Sequence, residues 1–177
     1  MIEETKKKLP KRKGNRIPDY DYSQYGGYFI TICAKDMQKM FGEVIVGGDG
    51  NRPAHCKLSK IGKVVKEEIA NISKIRNECE IEKYVIMPNH IHMIVFLKGG
   101  AARDDCHRRD DCHRPLRKSI PNMVQGFKGA VTRRIGVSPW QRSYYDRVIR
   151  NDKDYTRIWE YIENNPLQWD LDKHYNE

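Results

Sequence analysis

The sequence has no apolar run of the ~18 residues that a membrane-spanning helix needs, so a membrane span is not expected. Cysteine is sparse. The five (Cys33, Cys56, Cys79, Cys106, Cys112) are odd in number and form no Cys-x-x-Cys pair. That argues against a disulfide framework, and reduced thiols in a cytoplasm are the expected state. Cys33 and Cys79 sit in apolar-rich stretches and are expected as small core residues. Acidic residues are outnumbered, 24 Asp and Glu against 33 Lys and Arg, for a net charge of +9. The basic excess is concentrated in Met1 to Arg16, where Lys6, Lys7, Lys8, Lys11, Arg12, Lys13 and Arg16 face only Glu3 and Glu4. This segment has no apolar core of the secretory-signal kind. It also has no apolar face beside its charges, which disfavours an anionic membrane surface. A polyanion, chiefly nucleic acid, is the expected partner, with a solubilising tail as the competing reading.

What remains is a chain of 177 residues, 38% hydrophobic and 32% charged, long enough for one domain with its own core. Residues 1–19 read as a basic arm and 20–177 as the domain. The dense β-type run Tyr28 to Cys33, following Gly26-Gly27, predicts a strand, and Phe41 to Val46 a second. A glycine-rich break follows, and residues of about 47–56 read as an inserted loop. Leu58, Ile61, Val64, Val65, Ile69 and Ile72 keep helical spacing, predicting a helix from about Ser59 to Lys74. Ile81 to Met87 and Ile91 to Leu97 read as strands around the turn Pro88-Asn89. Residues of about 99–115 read as a second inserted loop. Leu116 to Ile135 is again helical in spacing, and a last helix spans about Asp152 to Asn164, ended by Pro166. The order β, β, α, β, β, α, α predicts an α+β, ferredoxin-like antiparallel sheet in which each strand pair is a neighbour in sequence, flanked by helices.

One repeat is plain: Arg103-Asp104-Asp105-Cys106-His107-Arg108 recurs as Arg109-Asp110-Asp111-Cys112-His113-Arg114. Cys106, His107, Cys112 and His113 could bind a metal, but their spacing is not that of common zinc motifs and their neighbours are charged. A duplicated flexible loop is the competing and preferred reading.

The chemistry concentrates in Met87-Pro88-Asn89-His90-Ile91-His92. Two residues apart on a strand, His90 and His92 point to one face while Ile91 points to the other, into the core. Two imidazoles on one face are ready metal ligands, and polar groups inside so apolar a strand require a reason. The competing reading is a pair of hydrogen-bonded or surface histidines. A third ligand can come from the last helix. There Tyr155, Ile158, Trp159 and Ile162 form an apolar stripe, with Tyr161 and Asn165 one turn apart beside it. Asn165, before Pro166, is expected at the frayed helix end. A packing role for Tyr161 and a capping role for Asn165 remain open at this level. A phenol with a pKa near 10 is a weak nucleophile and needs help, such as a divalent cation on the phosphate it attacks. Two imidazoles, an amide and phosphate oxygens would suit Mn²⁺ or Mg²⁺.

These pieces together resemble the HUH (histidine, hydrophobe, histidine) single-tyrosine transposases, most of all the REP-associated tyrosine transposases. The match also includes Tyr20 to Gln24, Leu58 to Gly62, Gly126-Phe127-Lys128, Trp140 to Arg150, and Tyr161-Ile162-Glu163-Asn164-Asn165-Pro166, covering roughly residues 20 to 170. The resemblance implies a ferredoxin-like (RRM-like) sheet carrying His90 and His92 as metal ligands, Asn165 as the third ligand, and Tyr161 as nucleophile on a C-terminal catalytic helix. Tyr144, Tyr145 and Tyr155 are rivals. The first two lack an amide or acid four residues on, and Tyr155 falls on the apolar stripe. The implied activity is metal-dependent cleavage and rejoining of single-stranded DNA near hairpins through a 5′-phosphotyrosine. Lys128, Arg133, Arg134, Arg142, Arg147 and Arg150 are candidate backbone contacts, or else solvated helix faces. The resemblance further implies a bacterial cytoplasmic protein working at the nucleoid, as a monomer or homodimer. Competing functions are a catalytically silent hairpin-DNA-binding regulator and an RRM-like RNA-binding module, for which Tyr84 and Phe96 would be the strand aromatics.

Overall fold

Of the four strand pairings among the described residues, two join strands far apart in sequence. The computed structural model describes residues 20–45, 54–98 and 119–171. Within these, β1 (Gly26–Cys33), β4 (Cys79–Ile86), β5 (His90–Leu97) and β6 (Tyr145–Ile149) form one sheet in the order β4-β5-β1-β6, with every pair antiparallel. Helix α1 (Lys60–Ile75) lies between β1 and β4 in sequence, and α2 (Ile120–Ile135) between β5 and β6. The sheet and these helices therefore run βαββαβ, the ferredoxin-like arrangement expected, and α3 (Asp152–Asn164) follows.

Strand alternation divides the sheet into two faces. Tyr28, Ile30 and Ile32 of β1 and Ile91, Met93 and Val95 of β5 pack in one cluster with α1 and α2. Each such fully buried side chain stabilises the fold by ~1.5–3 kcal/mol. Phe29, Ile94 and Phe96 turn to the other face and pack against Ile158 and Ile162 of α3. The histidines of β5 fall on this second face, beneath α3.

Three local expectations are corrected. The strand expected over 41–46 is Gly42–Ile45 (β2), and it does not pair with β1. Both edges of β1 are taken, by β5 and β6. After it, Asp36 and Met37 adopt left-handed backbone angles in a 3-10 turn. β2 pairs instead with β3 (His55–Leu58) in a separate two-stranded ribbon, so the inserted loop ends before His55. The third correction is β6, read only as part of a motif. Arg142, Arg147 and Arg150 consequently lie on a loop and an edge strand, not on helix faces. Residues 1–19, 46–53 and 99–118, with the basic arm and the repeated Arg-Asp-Asp-Cys-His-Arg segment, lie outside the described residues.

The start of α1 is tied to the strand turn that carries the histidines. Ser59 caps the helix by accepting from the Gly62 amide at 3.1 Å and donates to the Met40 carbonyl at 2.7 Å. The Phe41 amide donates to the Pro88 carbonyl at 2.9 Å, and the Phe41 carbonyl accepts from Ser59. A Cβ at Gly62 would overlap that carbonyl oxygen. Gly62→Ala is therefore expected to destabilise the protein by roughly 1–3 kcal/mol. A urea melt checks this, and an unchanged midpoint would mean that α1 can shift away without cost.

Candidate active site beneath helix α3

His90 and His92 are both fully buried, their ring centroids 4.4 Å apart. Each has a partner at Nδ1. Thr31 Oγ1 lies 2.8 Å from His92 Nδ1, placed there because Thr31 and His92 are direct cross-strand partners. Asn89 Oδ1 lies 2.8 Å from His90 Nδ1. An imidazole that donates from Nδ1 carries its lone pair on Nε2, the state in which histidine binds a cation or accepts a proton.

Helix α3 brings the phenol. Its apolar stripe fixes its rotation over the sheet, and Asn151 caps it by accepting from the Asp154 amide at 2.9 Å. Tyr161 lies at the edge of that contact, half-buried, its ring edge-on to Phe29. Its hydroxyl is 3.2 Å from His92 Nε2. One turn on, Asn165 is buried rather than frayed. The chain continues in a turn in which the Gln168 amide donates to the Asn164 carbonyl, and a 3-10 segment, Trp169–Leu171, follows. The Trp169 ring lies 5.9 Å from that of His90, tilted by 30° to it.

The site thus gathers His90, His92 and Tyr161 on one face, with Asn165 buried one turn beyond Tyr161 on α3. Among the described residues no three His, Cys, Asp or Glu side chains are grouped to hold a metal ion. The donor set on offer is two Nδ1-bonded imidazoles, which fits a cation sharing its remaining positions with oxygen donors. The rival tyrosines are elsewhere or otherwise engaged. Tyr144 is in the α1/α2 core, and Tyr155 donates to Glu82 at 3.3 Å. Tyr145 is exposed on β6 beside the same cleft as Tyr161.

The basic candidates are dispersed. Arg134 is held by Glu67 and Glu68 of α1, and Arg147 by Asp154 at 2.6 Å. Arg133, Arg142 and Arg150 are exposed. Half-buried Lys128 donates to the carbonyls of Gln141 and Ser143, both at 2.9 Å, and so fastens the loop before β6 to α2. Burial pushes its ammonium down to about 8. The folded form then releases this proton before the unfolded chain does, so its contribution to stability is complete only above the ordinary lysine range and is lost as pH falls through about 8. The stability of the native chain relative to Lys128→Met is expected to rise between pH 7 and 9.5. Paired urea melts check the sign, and a flat difference would mean that the ammonium keeps its ordinary affinity for its proton.

Thr31, Asn89, Trp169 and Arg157 were not singled out by sequence. Thr31 alone had a signal, a hydroxyl in the middle of the apolar run Phe29 to Cys33. No described helix is long and apolar enough to cross a membrane.

No protein-family model matches the chain. The sequence is 33% identical over 174 residues to an uncharacterized protein of Haemophilus influenzae, covering 93% of each chain. Among solved structures, it is similar to a REP-associated tyrosine transposase bound to a REP hairpin. The TM-score is 0.60 and the identity 20%, over 87% of this chain and 74% of that one. At that identity the likeness is one of fold.

Proposed function

We propose that this chain, which belongs to the same family as the uncharacterized Haemophilus influenzae protein, is a DNA-nicking and strand-joining enzyme of the REP-associated tyrosine transposase type. The observation that carries the reading is the Tyr161 hydroxyl 3.2 Å from His92 Nε2, on the face that also holds His90. In this reading the Tyr161 oxygen attacks the phosphorus of a single-stranded phosphodiester. The bond to the 3′ oxygen breaks, leaving a 5′-phosphotyrosine and a free 3′-OH, and the reverse attack rejoins strands with no external energy source. His90 and His92, through Nε2, and Asn165 would hold a divalent cation, Mg²⁺ or Mn²⁺. Bound there, such an ion would orient the phosphate and offset its developing charge. Thr31 and Asn89 hold the two rings in orientation. The fold shared with a hairpin-bound transposase supports hairpin DNA as the substrate class.

A second reading rests on the same contact. A hydroxyl within hydrogen-bond reach of Nε2, on a ring fixed by a third group, is also the arrangement of a nucleophile with its general base. His92 Nε2 cannot accept the phenol proton and bind a cation at once, so the two readings predict opposite responses to chelation. The RNA-module reading has less support, because α3 covers the sheet face bearing Phe96. The silent-regulator reading keeps the fold and loses only turnover.

The test is incubation of the protein with 3′-labelled single-stranded hairpin DNA taken from palindromes flanking its own gene, with Mn²⁺ or Mg²⁺, followed by a denaturing protein gel. Label migrating with the protein and lost with EDTA is the expected result. An adduct that survives EDTA would favour His92 as base. Tight hairpin binding with neither adduct nor cleavage would move the assignment to the regulator.

A further inference from the structure

Tyr161 borders a cleft of about 410 Å³ between α3 and the β1–β6 edge of the sheet. Phe29 and Thr31 line it from β1, Tyr145 and Arg147 from β6, and Arg157 from α3. The two arginines come from different elements yet converge. Both donate to the same oxygen, Oδ1 of Asp154, each at 2.6 Å. One carboxylate between two guanidiniums leaves a net positive charge. A single shared oxygen also engages only part of the five donors that each guanidinium carries. Their side chains are 55% and 63% exposed, and exposed ion pairs of this kind are weak, so turning toward a phosphate costs little. Asp146 also borders the cleft, but both its carboxylate oxygens are buried, and strand alternation sends it to the face opposite Arg147. On the same face as Arg147, two residues away, Tyr145 is 45% exposed. The accessible chemistry is a pair of cations and an aromatic ring directly beside the Tyr161 phenol.

We infer that this cleft seats a nucleotide adjoining the scissile phosphate, with Arg147 and Arg157 on its phosphate and Tyr145 against its base. The inference deepens the proposed nicking activity and rests on Tyr161 being its nucleophile. It assigns the cleft to single-stranded DNA with little base preference, since a guanidinium pair and a ring face read no base edge.

Fluorescence anisotropy with a labelled eight-residue oligothymidine, which forms no hairpin, tests it in EDTA, so that cleavage plays no part. Arg157→Ala and Tyr145→Ala are each expected to weaken binding about tenfold. In Arg157→Ala the slope of log affinity against log salt should fall by about 0.7 for the lost phosphate contact. Lys66→Ala, which removes the same charge from the exposed face of α1, should change affinity less than about twofold. No binding by the unaltered chain, or equal binding by all the variants, overturns the inference. A native chain that binds through these residues but forms no adduct with hairpin DNA sustains the cleft as a nucleotide site while the nicking activity falls. An adduct with unchanged oligothymidine binding in both cleft variants removes the cleft alone.

Discussion

Tyr161→Phe is expected to abolish the covalent protein–DNA adduct, a loss of about 10³-fold or more in cleavage. The substitution removes one oxygen and keeps the ring. Its edge-on contact with Phe29 and its packing beside His92 are retained, so the fold and the helix position should persist. The lost atom is the one 3.2 Å from His92 Nε2. Two of the rival phenols are not placed to substitute for it. Tyr144 is buried on the far face of the sheet, and Tyr155 is engaged by Glu82. Hairpin binding, measured by gel shift, should stay within about twofold of the native chain, because the phenol contributes chemistry rather than the bulk of the contact. A persistent adduct in this variant would show that a different nucleophile operates, with exposed Tyr145 the first to examine.

Thr31→Val is expected to raise the divalent-cation concentration for half-maximal adduct formation by roughly 10–100-fold. Thr31 is buried in β1 directly opposite His92, and its hydroxyl lies 2.8 Å from Nδ1. Valine nearly matches threonine in shape and suits a strand, so the sheet should close as before. What changes is the ring: without a partner at Nδ1, neither its tautomer nor its orientation is fixed. The Mn²⁺ titration should be run beside the cation-induced shift in melting temperature, which reports affinity without turnover. Unchanged values in both would mean that packing against Phe29, at 5.2 Å between ring centroids, suffices to orient His92.

Sequence made much of this site legible because two periodicities are rigid. A His-x-His pair on a strand must share a face, and the helix stripe of Tyr155, Ile158 and Ile162 fixes which side of α3 meets the sheet. Together these bring Tyr161 near the histidines. The rest was hidden for identifiable reasons. β6 is short and at an edge, with Asp146 and Arg147 breaking any apolar run, so it reads as loop; its pairing with β1 is a long-range event that no local pattern announces. The same applies to β2, whose composition indicated a strand but not which partner it would take. Arg157 and Arg147 are charged residues like many others until β6 and α3 are placed side by side. Trp169 follows Pro166, beyond any periodic element, and its position over His90 follows from the turn after α3.

The separation of His92 from Tyr161 also sets a clock. The two are 69 residues apart in sequence. A ribosome adding ~5–20 residues per second needs ~3–14 s to cover that distance. For those seconds the nascent chain has its histidines but not its phenol. Under the proposed activity, a copy that ends before α3 holds the imidazoles and has no nucleophile. The proposed capacity to cut is then acquired only once α3 has been made, so strand cleavage would be a sensitive assay for chains that have been completed.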